Sequence, residues 1–155
     1  MISLKKVEAD DFSEFFSLIT GLYAKESVEA GRWSAAEALD KSVAQTADIL
    51  PDKEKTKDNY LYWVEAHGAK VGYAWYGTAD SRTDEAFIFG VEIFEEHRGK
   101  GFGKELMAAI EADLVRLGFG SVGLHVYDFN KAALGLYLEG GYTFVGHHMK
   151  KGLPR

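Results

Sequence analysis

The feature that most constrains this chain is a glycine-rich segment, Arg98-Gly-Lys-Gly-Phe-Gly103, lying between two apolar stretches. The stretch before it, residues 85–94, is strongly apolar on both faces, which predicts a central strand covered on both sides. The stretch after it repeats apolar residues at helical spacing and ends at Gly118, which predicts an amphipathic helix. That helical stripe comprises Phe102, Leu106, Met107, Ile110, Leu114 and Leu117. The fold must therefore accommodate a strand, a tight turn and a helix in direct succession.

A turn of this composition is suited to holding an anion. Glycine lets the backbone turn sharply and approach a ligand closely, and a helix start presents unpaired N–H groups at the positive end of the helix dipole. Together these features predict a pyrophosphate site. The spacing Gly99-x-Gly101-x-Gly103 fits neither the P-loop motif nor the dinucleotide-binding fingerprint. A purely structural turn is the alternative interpretation.

Alternating polar and apolar residues predict the other strands. The predicted strands are residues 2–7, 60–66, 71–76, 122–126 and 142–149. The second and third of these are joined by four residues, 67–70, which is short enough for a hairpin. Residues 52–58 form a charged loop and residues 78–84 a polar turn.

Three further helices are expected. The first begins at Asp10 or Asp11 and is interrupted at Gly31, and the last covers 130–139. The second follows a capping box at Ser34–Glu37 and ends at Pro51, because proline cannot continue a helix. Its expected apolar face consists of Ala36, Leu39, Val43, Ala47 and Leu50.

Length and composition limit the classes of protein. A chain of 155 residues that is 46% apolar is expected to form one domain over residues 1–155. The formal net charge of −6 argues against nucleic-acid binding and is compatible with a cationic amine as substrate. The chain has no cysteine, which excludes disulfides and thiolate chemistry and fits a reducing cytoplasm. No signal peptide or membrane span is expected.

No metal site is expected either. His147 and His148 are neighbours on a predicted strand, so their side chains point to opposite faces.

Two motifs in order resemble the GNAT superfamily of N-acetyltransferases. Arg98, Gly101 and Gly103 match the acetyl-CoA motif [Q/R]-x-x-G-x-[G/A] of that family, and residues 124–144 resemble its block of strand, Asn, helix, Tyr, Gly and aromatic residue. The order of predicted elements also matches over essentially the whole chain. The resemblance implies an α/β fold (an α+β mixed sheet), mostly antiparallel and flanked by helices. Its fourth and fifth strands are parallel and splay apart around a cofactor cleft.

The resemblance implies acetyl-CoA as the acyl donor and no metal. Its pyrophosphate would lie on the loop, and Asn130 would contact the pantetheine arm. Backbone groups of the fourth strand near 91–94 would stabilise the oxyanion. The expected cofactor-binding residues are Val91, Ile93, Arg98, Gly99, Lys100, Gly101, Phe102, Gly103, Lys104, Asn130 and Tyr137.

The family places a tyrosine as general acid for the leaving thiolate where this chain has Tyr137. Asn130 lies seven residues earlier, two helical turns away, so both side chains can share one side of a helix. The structural alternatives are a helix cap for Asn130 and a core aromatic for Tyr137. Tyr127 is the substitute general acid.

Two glutamates are candidates for the catalytic base. Glu85 lies where some family members carry the catalytic glutamate, and Glu92 lies nearer the loop, inside an apolar run. Strict alternation puts them on opposite faces, unless a bulge near Gly90 changes the register. The alternatives are a solvated strand end for Glu85 and, for Glu92, a structural acid bonded to a tyrosine or histidine. His125, placed in mid-strand, and a bound water are the other candidates.

The sequence therefore predicts an N-acetyltransferase acting on a primary amine of a small molecule or peptide by direct attack in a ternary complex. A non-catalytic acyl-CoA sensor is the alternative from another class. A toxin acetylating aminoacyl-tRNA is disfavoured by the net charge. A homodimer is left open. Five aromatic residues are acceptor-pocket candidates, though most are expected in the core, namely Tyr23, Trp33, Trp63, Tyr73 and Trp75.

Overall fold

A computed structural model describes residues 1–79 and 83–155, so part of the predicted polar turn at 78–84 lies outside the described residues. The chain divides into two compact units, Met1–His125 and Val126–Arg155, and each is described here by itself. The single domain over residues 1–155 stays a prediction.

The first unit contains a sheet of five strands in the order β1-β2-β3-β4-β5. Successive strands pair antiparallel except for β4 and β5, which pair parallel. The strands are β1 (Ile2–Lys6), β2 (Asn59–Ala66), β3 (Ala69–Thr78), β4 (Glu85–Ile93) and β5 (Ser121–Leu124). This mixed sheet confirms the predicted fold class.

Helices precede, follow and interrupt the strands as the sequence predicted. In chain order they are α1 (Phe12–Glu29), α2 (Ala38–Ile49), α3 (Phe102–Arg116) and α4 (Lys131–Glu139). Short 3-10 turns occupy residues 9–11, 53–55 and 95–97. The predicted hairpin has a loop of only two residues, His67 and Gly68. Both have positive φ (52° and 78°), as a tight type I′ turn requires.

Helices cover both faces of the sheet, as two tyrosines of β3 show. Tyr73 and Tyr76 are three residues apart and therefore point to opposite faces. The Tyr73 ring packs edge-on against Phe15 of α1, with 5.6 Å between centroids. The Tyr76 hydroxyl bonds to Asp113 of α3. Trp63, Tyr73 and Trp75 lie in the core with Phe15 on the α1 face, as expected for most of the aromatic acceptor-pocket candidates.

The predicted apolar face of α2 was wrong except at Leu50, which is buried. Leu39 and Val43 are 55% and 37% exposed, whereas Ala38, Ser42 and Thr46 are buried. The reason is close packing through small residues: the buried Ser42 hydroxyl donates a 2.7 Å hydrogen bond to the Thr20 carbonyl of α1. Small polar residues on the buried face thus replace the large apolar ones that the periodicity favoured.

The start of α2 was also predicted too early. The helix begins at Ala38, and its N-cap residue, Glu37, has no side-chain capping bond. One half of the expected box does form, because the Ser34 amide donates to Glu37 Oε1 at 3.4 Å. The same oxygen accepts from Lys41 Nζ at 3.0 Å. This lysine contact and the Ser34 amide lower the pKa of Glu37.

The last two predicted strands differ from those observed. Residues 142–149 form no strand, and Phe144, Val145 and Met149 are exposed. Alternating residues form a strand only where a paired neighbour and a buried face stabilise it. The strand expected over 122–126 is β5, which ends at Leu124. His125 therefore follows the strand and is exposed, not in mid-strand.

Candidate active site

The parallel strands of the sheet pair over only half of β4. The ladder joins Glu85–Ile88 to Ser121–Leu124. β4 continues to Ile93, still paired to β3 on its other side. Residues 89–93 of β4 thus run beyond the parallel ladder, because β5 ends at Leu124, and the splaying of the two strands stays a prediction.

Two backbone amides of β4 point away from β3 in this region. The Phe94 amide donates to the Val71 carbonyl at 2.8 Å, so it faces β3. Alternation along an antiparallel ladder then directs the N–H groups of Val91 and Ile93 to the opposite side, where β4 has left the β5 ladder. Residues 91–94 were predicted to stabilise the oxyanion, but the Phe94 amide is already hydrogen-bonded to the Val71 carbonyl.

A β-bulge changes the facing of the two candidate glutamates. Trp75 pairs with Gly90 and Tyr76 with Ile88, so Phe89 is an extra residue in β4. The extra residue shifts the alternation by one position. Glu85 and Glu92 consequently lie on the same face of the sheet, the face of Tyr73, as the sequence analysis allowed for a bulge near Gly90.

Their separation along the strand is nevertheless large. Roughly six ladder steps of ~3.3 Å place the two glutamates about 20 Å apart. Glu85 is exposed at the beginning of β4, opposite Ser121 of β5. Glu92 lies at the other end, next to the glycine-rich loop. The two carboxylates therefore cannot both reach the same reacting atom. Of the two, only Glu92 lies at the end of β4 next to the glycine-rich loop.

Glu92 lies between a tyrosine and an arginine. It pairs across the ladder with Tyr73, whose side chain is buried. Burial, followed by the negative charge of Glu92, raises the pKa of Tyr73 well above its ordinary value. The charge of Glu26 on α1 acts in the same direction. The register thus places Glu92 beside a tyrosine, and its role as a structural acid bonded to that tyrosine stays a prediction.

Arg98 makes two contacts with the end of β4. Its Nε donates to the Ile93 carbonyl at 2.8 Å, and its Nη2 donates to Glu92 Oε1 at 3.2 Å. The Arg98 side chain is 57% exposed and that of Glu92 23%. The guanidinium therefore lies at the strand end from which the glycine-rich loop departs.

The loop has the backbone geometry of an anion-binding turn. Gly99 and Gly101 have positive φ (78° and 82°), whereas Lys100 and Phe102 between and after them do not. Alternation of this kind turns successive N–H groups toward one concave side. A Cβ at Gly99 or Gly101 would meet no atom within 4 Å. Glycine is thus required at both positions by the backbone angle and not by crowding.

The amides of this loop lack acceptors within the protein. Over the described ranges 1–79 and 83–155, the N–H groups of Gly99 to Gly103 donate to no protein atom. They stand at the N-terminus of α3, where the helix dipole is positive. The arrangement can accept a multiply charged anion without displacing any internal hydrogen bond.

The remaining predicted residues lie in the second unit. Asn130 is the N-cap residue of α4 but makes no side-chain capping bond. Tyr137 is buried in that unit, 8% exposed, with its ring edge-on to Tyr142 at 5.7 Å. Tyr127 stacks on Phe129 at 5.2 Å.

Sequence reasoning missed the role of Glu26. This residue continues the buried stripe of α1 that contains Phe15, Ile19 and Leu22, at spacings of three and four residues. An acidic residue in that position of an apolar stripe was the available signal. The partnership of Tyr73 with Glu92 depends on strand register, which the sequence alone did not supply.

The described residues contain neither a membrane-spanning helix nor a candidate metal cluster. No helix among them is long and apolar enough to cross a membrane. No group of three or more His, Asp or Glu side chains among them is placed to hold a metal ion.

Several known proteins are similar to this chain over most of its length. A Bacillus subtilis protein described as the uncharacterized N-acetyltransferase YycN is 29% identical over 154 residues, covering 98% of this chain and 99% of the relative. The crystal structure of YycN superposes with a TM-score of 0.94 and covers 100% of both chains. The L-methionine sulfoximine/L-methionine sulfone acetyltransferase of Salmonella typhimurium is 27% identical over 134 residues, 76% of this chain and 77% of the relative.

A more distant structure shares the fold. The spermidine N-acetyltransferase of Vibrio cholerae, solved in complex with CoA and spermine, is 20% identical and has a TM-score of 0.69, covering 99% of this chain and 88% of that one. The model of the acetyltransferase (GNAT) family matches residues 24–142, which include all of α2, the sheet from β2 to β5, and the loop. The chain therefore belongs to the acetyltransferase (GNAT) family and is an acetyl-CoA-dependent N-acetyltransferase.

Proposed function

We propose that this enzyme transfers the acetyl group of acetyl-CoA directly to a primary amine of a small molecule or peptide, within a ternary complex. The observation that carries the proposal is the row of acceptor-free amides from Gly99 to Gly103 at the start of α3, beside the end of β4 that runs beyond the parallel ladder. That row fits the diphosphate of coenzyme A, and the strand end fits the acyl arm that follows it.

The donor would be held mainly by backbone groups and basic side chains. The amides of residues 99–103 would bind the diphosphate oxygens, with Arg98, Lys100 and Lys104 supplying positive charge. The outward-facing backbone of Val91 and Ile93 would contact the pantetheine arm and polarise the acetyl carbonyl. In the second unit, Asn130 would contact the same arm.

Glu92 is the better candidate for the proton acceptor. A primary ammonium has a pKa of about 10.4, so at neutral pH a base must remove a proton before the nitrogen attacks. Glu92 stands at the loop end of β4, whereas Glu85 lies about 20 Å away along the strand. Glu92 would take the proton directly or through a water, and Tyr137 would protonate the departing thiolate.

The acceptor is best sought among small cationic amines and α-amino acids. The names of two similar proteins, a spermidine N-acetyltransferase and a methionine sulfoximine acetyltransferase, indicate these two classes. An acidic protein with Glu26 and Glu92 near Tyr73 is electrostatically compatible with a cation.

The test is CoA release from acetyl-CoA with a panel containing spermidine, L-methionine sulfoximine, L-lysine and a lysine peptide. Turnover with at least one amine above the hydrolysis background supports the enzyme. Tight acetyl-CoA binding without turnover for any amine would favour an acyl-CoA sensor instead.

A further inference from the structure

Arg98 and Glu92 contact each other, yet in the proposed function each acts on a different substrate, the acetyl donor or the acceptor amine. Arg98 belongs to the loop that would bind the donor diphosphate, and Glu92 is the carboxylate that would meet the acceptor amine. Their 3.2 Å contact means that neither is wholly available to its substrate in the free enzyme.

Arg98 is placed to change partners. Its Nε is fixed on the Ile93 carbonyl, which belongs to a residue whose backbone groups face away from β3. Its guanidinium is 57% exposed, and Gly99, the first residue of the acceptor-free amide row, follows it directly in the chain. The planar guanidinium moves as a rigid unit, and pivoting it about the Nε contact would carry Nη2 from the Glu92 carboxylate toward an anion on the loop.

Charge favours that change of partner once a donor binds. A diphosphate presents several anionic oxygens, and arginine pairs with phosphate oxygens through two parallel hydrogen bonds. The present contact uses only one guanidinium nitrogen on one carboxylate oxygen. A partly exposed ion pair of this kind is weak and is readily exchanged.

We propose, on the basis of the proposed function, that Arg98 exchanges Glu92 for the coenzyme A diphosphate when the donor binds. Glu92 is therefore released from the Arg98 guanidinium only when the donor is bound, and only then is its full negative charge available to the acceptor amine. A cationic amine is therefore bound more favourably after acetyl-CoA than before it. By reciprocity, a bound amine strengthens donor binding by the same factor.

The exchange can be tested with coenzyme A alone. Glu92→Gln keeps the shape of the side chain but removes the charge that Arg98 must leave. Calorimetric titration should show about two- to fivefold tighter CoA binding in this variant, the size expected for release from a partly exposed ion pair. Pantetheine, which lacks the diphosphate, should bind the variant and the wild type equally.

Two further variants isolate the cause. Glu96→Gln makes the same change in net charge at an exposed residue close to the loop, and it should alter the CoA affinity less than Glu92→Gln does. In an Arg98→Gln background, the gain from Glu92→Gln should disappear. Glu92→Asp, which withdraws the carboxylate by one methylene, should tighten CoA binding in the same direction by a smaller factor and serves if Glu92→Gln does not fold.

Three results would overturn the exchange. These are unchanged or weaker CoA binding by Glu92→Gln, an equal gain in the Arg98→Gln background, or an equal gain for pantetheine. If the wild-type protein binds no CoA, the proposed function itself fails and the exchange with it. If wild type binds CoA and Glu92→Gln gives no gain, only the exchange fails.

Discussion

The hydroxyl of Tyr76 donates a 2.6 Å hydrogen bond to Oδ2 of Asp113, which ties the C-terminal part of β3 to the last third of α3. Asp113 also accepts from Nε of Arg116 on its other oxygen at 3.1 Å. The Tyr76 ring is fully buried and packs beside Tyr62 with 5.8 Å between centroids. The helix that begins at the glycine-rich loop is thus anchored to the sheet by a charge-assisted bond.

Removing that bond should weaken the fold without touching the loop. Tyr76→Phe should lower the free energy of unfolding by about 1.5–3 kcal/mol, because it deletes a buried hydrogen bond to a charged group. Urea unfolding followed by circular dichroism measures the change. Tyr60→Phe removes the same atom from a half-buried neighbour and should cost clearly less. Equal costs for the two variants would show that the Asp113 bond contributes nothing special.

Alkaline pH should destabilise the protein. Burial raises the pKa of Tyr60, Tyr62, Tyr73 and Tyr76 above that of a free phenol. The protonated phenols contribute fully to the free energy of unfolding below about pH 10, the ordinary pKa of tyrosine in the unfolded chain. Above that pH the contribution is lost progressively, because the unfolded chain releases protons that the folded protein retains. Stability should fall by up to ~1.4 kcal/mol per pH unit for each such tyrosine.

The measurement is urea unfolding at successive pH values from about 8 to about 11, spanning the ordinary phenol pKa. Tyr76→Phe should make the fall in the free energy of unfolding with pH less steep, by an amount corresponding to at most one proton released on unfolding. A stability that stays level through this range would contradict the buried, protonated state of these phenols.

Substitutions at Gly101 should separate backbone strain from charge repulsion. Gly101→Ala imposes a side chain at φ 82°, at a cost of roughly 1 kcal/mol. Gly101→Glu adds an acid at the predicted diphosphate site and should weaken CoA binding more than tenfold, since ~1.4 kcal/mol already corresponds to a factor of ten. Calorimetric titration with CoA measures both.

Gly118, at the other end of α3, provides the matched control, because it has φ 94° and a Cβ added there would meet no atom within 4 Å. Gly118→Ala should lower stability by a similar amount but leave CoA affinity unchanged. A Gly101→Glu protein with wild-type affinity would remove the diphosphate from this loop.

Tyr137→Phe should lower turnover by about 100-fold or more while changing acetyl-CoA affinity little, because a general acid contributes to the chemical step and not to donor binding. Steady-state kinetics with the best amine of the acceptor panel, together with calorimetry, separates the two effects. Tyr127→Phe is the paired variant. If Tyr127→Phe is the slow enzyme and Tyr137→Phe turns over normally, the roles of the two tyrosines must be reversed.

Glu92→Gln and Glu85→Gln should differ sharply in turnover. Loss of a general base costs about 100-fold or more, and this loss is expected at Glu92. Glu85→Gln should lose much less, because Glu85 is exposed at the far end of β4. Comparable losses in kcat for both variants would contradict the assignment of the base to Glu92.

How far the sequence predicted this fold depended on the type of signal. α3 was predicted from Phe102 to Gly118, close to its observed bounds. Its apolar stripe and the glycines with positive φ at its two ends are local features, which a sequence shows directly. α2 was placed, but most of its buried face was predicted wrongly. Ser42, whose hydroxyl donates to the Thr20 carbonyl of α1, and the buried Thr46 pack where large apolar residues were expected. Periodicity of apolar residues cannot anticipate helices that meet through small polar side chains.

For the site, the sequence located the loop but not the contacts of Glu92. Arg98, Gly99 and Gly101 follow from a short motif whose geometry is local. The pairing of Glu92 with Tyr73 depends on which residues of two strands stand opposite each other, and that in turn depends on the extra residue at Phe89. The alternation along 142–149 gave no strand for a similar reason, since side-chain pattern does not specify a partner.

The bulge in β4 also determines which face of the sheet each later side chain of the strand points to. Deleting Phe89 would keep the length of the apolar run nearly intact, yet it would rotate Glu92 toward the α3 layer and send Val91 and Ile93 to the side now occupied by Glu92. The carboxylate would then be separated from Tyr73 by the thickness of the sheet. A single inserted residue, which contributes no chemistry of its own, thereby decides which helical layer receives the charge.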